Sequence, residues 1–352
     1  MIFYLHCELS HIRQCDADVR DETVRLLLRA HRNGDHVVII SREICRFLIE
    51  NADLSRAEKA MLERILFEHP QRASLPRVAK RYILVSPSGA VAADDRAIQV
   101  SFRKLVEAKI TDRSILLVEN IARDGVLYGE LLRNHHDLHA CPPPAYVPMH
   151  GGGSDLPTVF IEQINQRRVV CAIVDTDRLA PSSEPVAKLE KLGRIATEMN
   201  WPCAFSSAPP CREAENCLPM DVVFQLESGI SNPSKDHYLS LAEEEGKLGH
   251  DVRQSFWLYA DLKEGICPAN AAKIGNDADR AWLRAKLAVI NIDIEVHSLS
   301  GFGNRVFDQM AAHGQSWSIL RQATRTNSWR EIFDEFVAFL VWVFAGGRKV
   351  VT

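Results

Sequence analysis

The segment VVCAIVDTDR, residues 169–178, runs six apolar residues into two aspartates separated by one threonine. Like charges that close repel, and burial strengthens the repulsion, so something positive is expected between them. If the chain stays extended there, Asp175 and Asp177 leave the same face and can share one cation. Carboxylate oxygens suit Mg²⁺ or Mn²⁺, one or two ions, better than zinc. The other reading is a solvated turn in which Asp177 caps the next helix or pairs with Arg178. A third acid strengthens the case for the cation, because Glu119 ends another apolar run, SILLV at 114–118.

The elements around these acids alternate. Strands are expected at 114–118, 145–149, 169–174 and 202–207, with helices at 124–136, 154–167 and 185–199 between them. Continuous apolar strands alternating with helices define an α/β fold, a parallel sheet flanked by helices on both faces. Ligands of such sheets sit beyond the carboxyl ends of the strands, where Glu119, Asp175 and Asp177 fall. Asp124, five residues past Glu119, is either a further metal ligand or an acid placed to favour a helix N-terminus.

Residues 1–112 read differently, as an N-terminal mixed α/β or helical region of unknown role, a partner surface or lid. VRDETVRLLLRAHRNGD ends a helix on Asn33-Gly34, HVVII follows as a strand, and helical stretches lie near 41–50 and 55–68. Residues 276–352 read as a helical C-terminal extension. Its FVAFLVWVFAGG run (336–347) is too short to span a membrane and is expected as a buried helix, its exposed side suited to a homodimer.

The formal net charge of −4 leaves no global footprint for nucleic acid, so binding of that kind must use a local basic face. Nine cysteines without a C-x-x-C pair, and no secretory signal, read as reduced thiols of a cytoplasmic protein. In NHHDLHAC (134–141) no paired Cys or His returns at structural-zinc spacing, so these histidines are expected to end an exposed helix, their partial charge suiting its dipole. The HGGG turn (150–153) is a tight turn or a phosphate cradle; an esterase would also need a G-x-S-x-G elbow, which the chain lacks.

The acidic arrangement resembles the Toprim domain shared by topoisomerases, primases and OLD-family nucleases. In that fold a glutamate follows the first strand and an Asp-x-Asp follows a later one. LLVENIARDG matches the first element, with Asn120 where glycine is more usual, and AIVDTDR matches the second. The resemblance covers about residues 114–270, implying a Toprim-like catalytic domain at 113–275. CREAENCLP (211–219) and YADLKEGI (259–266) are similar to elements of OLD-like and stand-alone Toprim-like nucleases of prokaryotic defence systems.

The resemblance implies a metal-dependent nuclease that hydrolyses phosphodiester bonds of DNA or RNA, the effector of an anti-phage system. Glu119, Asp175 and Asp177 would hold the ion, Glu215 a second one, and Lys263 would set positive charge against the phosphate. Arg123, Arg178 and Arg212 lie beside the acidic motifs and would hold the nucleic-acid backbone. Glu215 has a plainer reading as a partner of Arg212, and Lys263 as a surface lysine beside Asp261 and Glu264. No G-x-x-x-x-G-K-[ST] loop is present, so any ATPase would be a separately encoded partner. The chain is too short for the domains that accompany Toprim in topoisomerases and primases. The alternative is a catalytically degenerate Toprim-like regulatory or scaffold subunit docked on an ATPase through helix 185–199 and the C-terminal helix. Phosphotransfer or phosphatase chemistry on a small nucleotide is a third reading.

Overall fold

Two larger sheets follow one another along the chain, and a two-stranded one pairs Gly265–Ile266 with Leu299–Ser300, in a computed structural model that describes residues 1–89, 92–184, 187–226, 232–247, 251–312 and 314–350. The first sheet comprises β1 (Ile2–Leu5), β2 (Val37–Ile40), β3 (Tyr82–Ser86), β4 (Ala92–Ala93) and β5 (Ala97–Ser101), in the order β2-β1-β3-β5-β4. Its pairings are parallel except for β4 against β5. The N-terminal region is therefore an α/β layer in its own right. Helix Ala17–Asn33 ends as expected, on a left-handed Gly34. Helix Arg56–Arg72 continues past Pro70, which near the helix end forfeits one hydrogen bond without breaking the helix.

The second sheet comprises β6 (Ser114–Val118), β7 (Tyr146–His150), β8 (Val170–Ile173) and β9 (Ala204–Ser207), all parallel, in the order β7-β6-β8-β9. Every residue of β6 and β8 is buried, as strands covered on both faces must be. Register pairs Val118 with both His150 and Ile173, and Ile173 with Ser207, so the four strands end level. Helices Val126–His139, Leu156–Asn165 and Ala187–Glu198 make the crossovers; the first two positions of the expected 185–199 helix lie outside the described residues.

The last helix of the C-terminal segment is buried, as expected. Helix Asn327–Val343 buries Trp329, Phe333, Phe336, Val337, Leu340 and Val341 within the chain's own core. Among the described residues none of the exposed large apolar side chains lies on this helix. Beyond it the chain ties both sheets together. Ser114 Oγ donates to the Val343 carbonyl at 3.3 Å, Ala145 N to Phe344 O at 2.7 Å, and Gly347 N to Gly34 O at 3.1 Å. The Met1 ammonium donates to the Ala345 carbonyl. No helix among the described residues is long and apolar enough to cross a membrane.

Gly34 is required at this junction. Its φ is +76°, and a Cβ there would stand 2.6 Å from Gly347 O. Gly34→Ala is expected to destabilise the chain by about 2 kcal/mol, read as a lower urea midpoint; an unchanged midpoint would contradict this packing.

His31 supplies a second stability prediction. Its ring is 3% exposed and accepts the Val38 N–H at Nδ1 (3.3 Å). Burial first, then Arg72, pushes its pKa down to about 4. The unfolded chain therefore binds the proton that the native chain refuses, and stability falls as pH drops from the ordinary histidine range toward 4. The His31 contribution is expected to be about 2 kcal/mol, read as the loss of unfolding free energy from pH 7 to pH 5 in wild type minus that in His31→Gln. The same pH dependence in both proteins would refute it.

Candidate metal centre at the carboxyl edge of the second sheet

Two loops lock together beyond β8. Thr176 N and Asp177 N both donate to the Arg212 carbonyl (2.9 and 3.0 Å), and Thr176 Oγ1 donates to Cys211 O at 2.6 Å. Wrapping around that carbonyl bends the chain, and Asp177 adopts φ +51°. The extended geometry expected to send both aspartates off one face thus ends before Asp177. Asp175 turns inward, its Oδ1 accepting the Ala214 N–H at 3.0 Å, while Asp177 is exposed.

The 211–217 loop is held from below. Asn216, 1% exposed, accepts the Glu213 N–H (3.0 Å) and donates to Trp257 O and Ala260 O (2.6 and 2.9 Å). This fixes Glu213 and Glu215 beside the 259–266 segment. Lys263 Nζ lies 2.8 Å from Glu213 Oε2 and 3.2 Å from Glu215 Oε1. Glu215 therefore pairs with Lys263 and not with Arg212, and Lys263 is no free surface lysine. Asp261 Oδ1 positions it by accepting Lys263 N and Glu264 N (3.1 and 2.8 Å).

At the end of β6, Glu119 is ion-paired with Lys188 of helix Ala187–Glu198. Asp124 Oδ2 accepts the Asn120 N–H at 3.0 Å and so closes the turn between β6 and helix Val126–His139. Its carboxyl also lies within electrostatic range of Lys263 and Glu119.

The three arginines expected on nucleic acid are engaged within the protein. Arg212 reaches Asp261 Oδ2 at 3.0 Å and Glu213 Oε1 at 3.3 Å, with only 12% of its side chain exposed. Arg178 donates to Ser183 O at 2.7 Å and lies over the Tyr259 ring, 5.5 Å from its centre. Arg123 stands 3.6 Å from Asp308. They brace the loops; Arg212 in particular is too buried to meet a phosphate backbone.

Acids outnumber cations here, and the carboxyl groups respond. Burial holds Asp175 well above the usual range, and Asp124, Glu215 and Glu213 push the same way. Asp124 is raised by burial and by Glu119; Asp177 by burial and by Glu213. Glu215 is raised by burial and Glu213 against the pull of Lys263. Burial disfavours the charge on Lys263, yet Glu215 and Glu213 outweigh it and strengthen its hold on the proton.

One oxygen of this cluster lacks a partner. Glu215 is 4% exposed and its Oε2 has no hydrogen-bond donor among the described residues, while the lysine ammonium is the neighbour of Glu213 Oε2. A carboxylate oxygen stripped of both water and donor is costly unless a cation meets it. The acids are gathered, but not into one ligand set. Among the described residues, the three metal-capable donors within 4.8 Å of one another are His135, His139 and Asp334, and the acids at the sheet edge stand wider apart. Lys188 and Lys263 occupy the positions of positive charge between them. Lys188→Ala is accordingly expected to lower the Mn²⁺ concentration for half-saturation several-fold, measured by calorimetry, with little change in stability because the pair is part-exposed. Weaker binding would show that Lys188 is not the competitor.

Lys188, Glu213 and Asp261 were not legible as site residues. Glu213-Ala-Glu215 repeats the alternation of Asp175-Thr-Asp177, which was a usable signal; Lys188 carries none. The glycine turn is structural. Gly152 and Gly153 have φ of +68° and +61°, and a Cβ on Gly151 would stand 2.7 Å from Leu156 Cγ. The histidines end the helix but correct the expectation that they are exposed and charged there. His135 is half-buried and burial, then His139, push its pKa down to about 4, so at neutral pH it adds no charge to the helix end. Asp334, from the far end of the chain, lies near His135 and His139 as a further metal-capable donor.

Comparison with protein-family models, curated proteins and solved structures finds no match to this chain.

Proposed function

We propose that the chain is a Mg²⁺- or Mn²⁺-dependent nuclease that hydrolyses phosphodiester bonds of DNA or RNA. The observation that carries this reading is the gathering of carboxylates at three strand ends, part-exposed Glu119 after β6, Asp175 after β8, and buried Glu213 with Glu215 after β9, the last with an oxygen that meets no donor among the described residues. Asp175, Glu215 and Glu213, with Glu119, Asp124 and Asp177 around them, would hold one or two ions. Such ions, when bound, neutralise phosphate charge and make water a better nucleophile at neutral pH.

The chain's own groups prepare the rest. Ala214 N aims Asp175 inward, and the 211–217 loop excludes water from Glu215. With a cation held by Glu213 and Glu215, Lys263 would be free to face an incoming phosphate oxygen. A groove of about 770 Å³ around Tyr259 carries Lys80, Arg81, Arg178 and Arg253 together with Asp95, Asp251 and Glu335, a lining of mixed charge. The sheet order, with glutamate after the first strand and Asp-x-Asp after the third, supports the likeness to Toprim nucleases. Through that likeness it supports a cytoplasmic role in anti-phage defence with a separately encoded ATPase.

The pairing of Lys188 and Lys263 with the acids favours a second reading, a degenerate Toprim-like subunit that regulates or scaffolds an ATPase. One assay separates them. The purified chain is incubated with plasmid, single-stranded DNA and tRNA, with Mg²⁺, Mn²⁺ or EDTA. Metal-dependent cleavage lost in Asp175→Ala, which remains folded, is the result expected. No cleavage of any substrate, or full cleavage by that variant, overturns the nuclease reading.

A further inference from the structure

A second group of donors lies away from the acidic edge, where the crossover helix Val126–His139 packs beside the C-terminal helix Asn327–Val343. His135 and His139 are one helical turn apart on the first helix, so both rings project from one face. Their ring centres are 4.3 Å apart. Asp334 of the second helix points at them, its Oδ1 3.9 Å from His135 Nδ1. That distance is too long for a hydrogen bond, so the two do not satisfy each other. The other oxygen of Asp334 accepts Arg330 Nε at 2.9 Å, which fixes the carboxylate plane and leaves Oδ1 turned to the imidazoles.

We propose that His135, His139 and Asp334 form a binding site for a zinc-class divalent ion that clips the two helices together. Two imidazole nitrogens and one carboxylate oxygen are a donor set for zinc, whereas Mg²⁺ takes oxygen alone. One ligand atom from each residue lies within 4.8 Å of the others. Ligand atoms around a tetrahedral zinc stand about 3.3 Å apart, so closing the set takes small side-chain rotations and no backbone movement. His139 is exposed, which leaves the fourth position open to water. Arg330 opposes the cation's charge while orienting its ligand, so the site's strength depends on both histidines being present. The clip joins the helix that starts at the Asp124 turn to the segment that ties both sheets, and it is independent of any chemistry at the acidic edge.

The test uses the full chain stripped with EDTA and titrated with zinc chloride by calorimetry and thermal unfolding, in excess Mg²⁺ to occupy oxygen-only sites. One equivalent of zinc is expected, with a rise in unfolding temperature of about 3–6 °C at saturation. His139→Ala, an exposed change at a helix end, should fold and lose both, as should Asp334→Asn. Asp175→Asn should keep both, which separates this site from the acidic one. Co²⁺ in place of zinc should give the visible absorption of a tetrahedral ion. Absence of zinc binding, or binding unchanged in His139→Ala and Asp334→Asn, overturns the proposal.

Discussion

Asp175→Asn is expected to abolish metal-dependent cleavage while making the protein harder to unfold. The amide is isosteric and keeps an oxygen to accept the Ala214 N–H, so the fold loses no hydrogen bond. What disappears is a buried charge facing Asp124, Glu215 and Glu213. A carboxyl whose pKa is raised by folding makes the native chain bind more protons than the unfolded chain. Wild-type stability therefore falls as pH climbs from the ordinary carboxyl range through the raised value, and the cost persists above it. The variant escapes that loss. It should gain about 1 kcal/mol at pH 8, less at pH 5, while cleavage falls at least about 10³-fold. Urea unfolding at the two pH values and an initial-rate assay check both halves. A folded variant less stable than wild type at pH 8 would mean that the acids do not repel as the geometry requires.

Lys263→Met should have the opposite effect on stability. Methionine keeps the apolar stem and removes the ammonium that lies against Glu213 and Glu215. Stranding two buried acids costs about 3 kcal/mol, at the low end for such losses because 26% of the lysine side chain is exposed. Mn²⁺ should then restore much of the deficit, since it takes the place the ammonium has left. The increase in unfolding temperature on adding Mn²⁺ is expected to be larger for the variant than for wild type. If metal stabilises both equally, the lysine and the cation do not share those carboxylates.

How much of this was legible follows from what each element buries. The second sheet was readable because its strands are apolar throughout and separated by helices long enough to cross over. SILLV matches β6 residue for residue. The first sheet was largely hidden. IFYL at 2–5 is too short to show a period, and YILVS at 82–86 alternates weakly between prolines at 76 and 87. The site divides in the same way. Glu119 and Asp175 stood out because an acid ending an apolar run contradicts its surroundings. The left-handed turn at Asp177 did not, because it is imposed by a carbonyl, that of Arg212, brought in by tertiary packing. Lys188 and Asp334 were invisible for the same reason, since their partners are distant in sequence.

Mn²⁺ binding to the acidic edge is the most direct measurement. It is made in a His139→Ala background so that the helix-clip site contributes nothing, with and without Asp175→Asn. One or two equivalents of Mn²⁺ should bind the first protein, and binding at Asp175 should vanish from the second. Identical titrations of the two proteins, or no Mn²⁺ bound by either, would contradict a metal centre at the end of the second sheet.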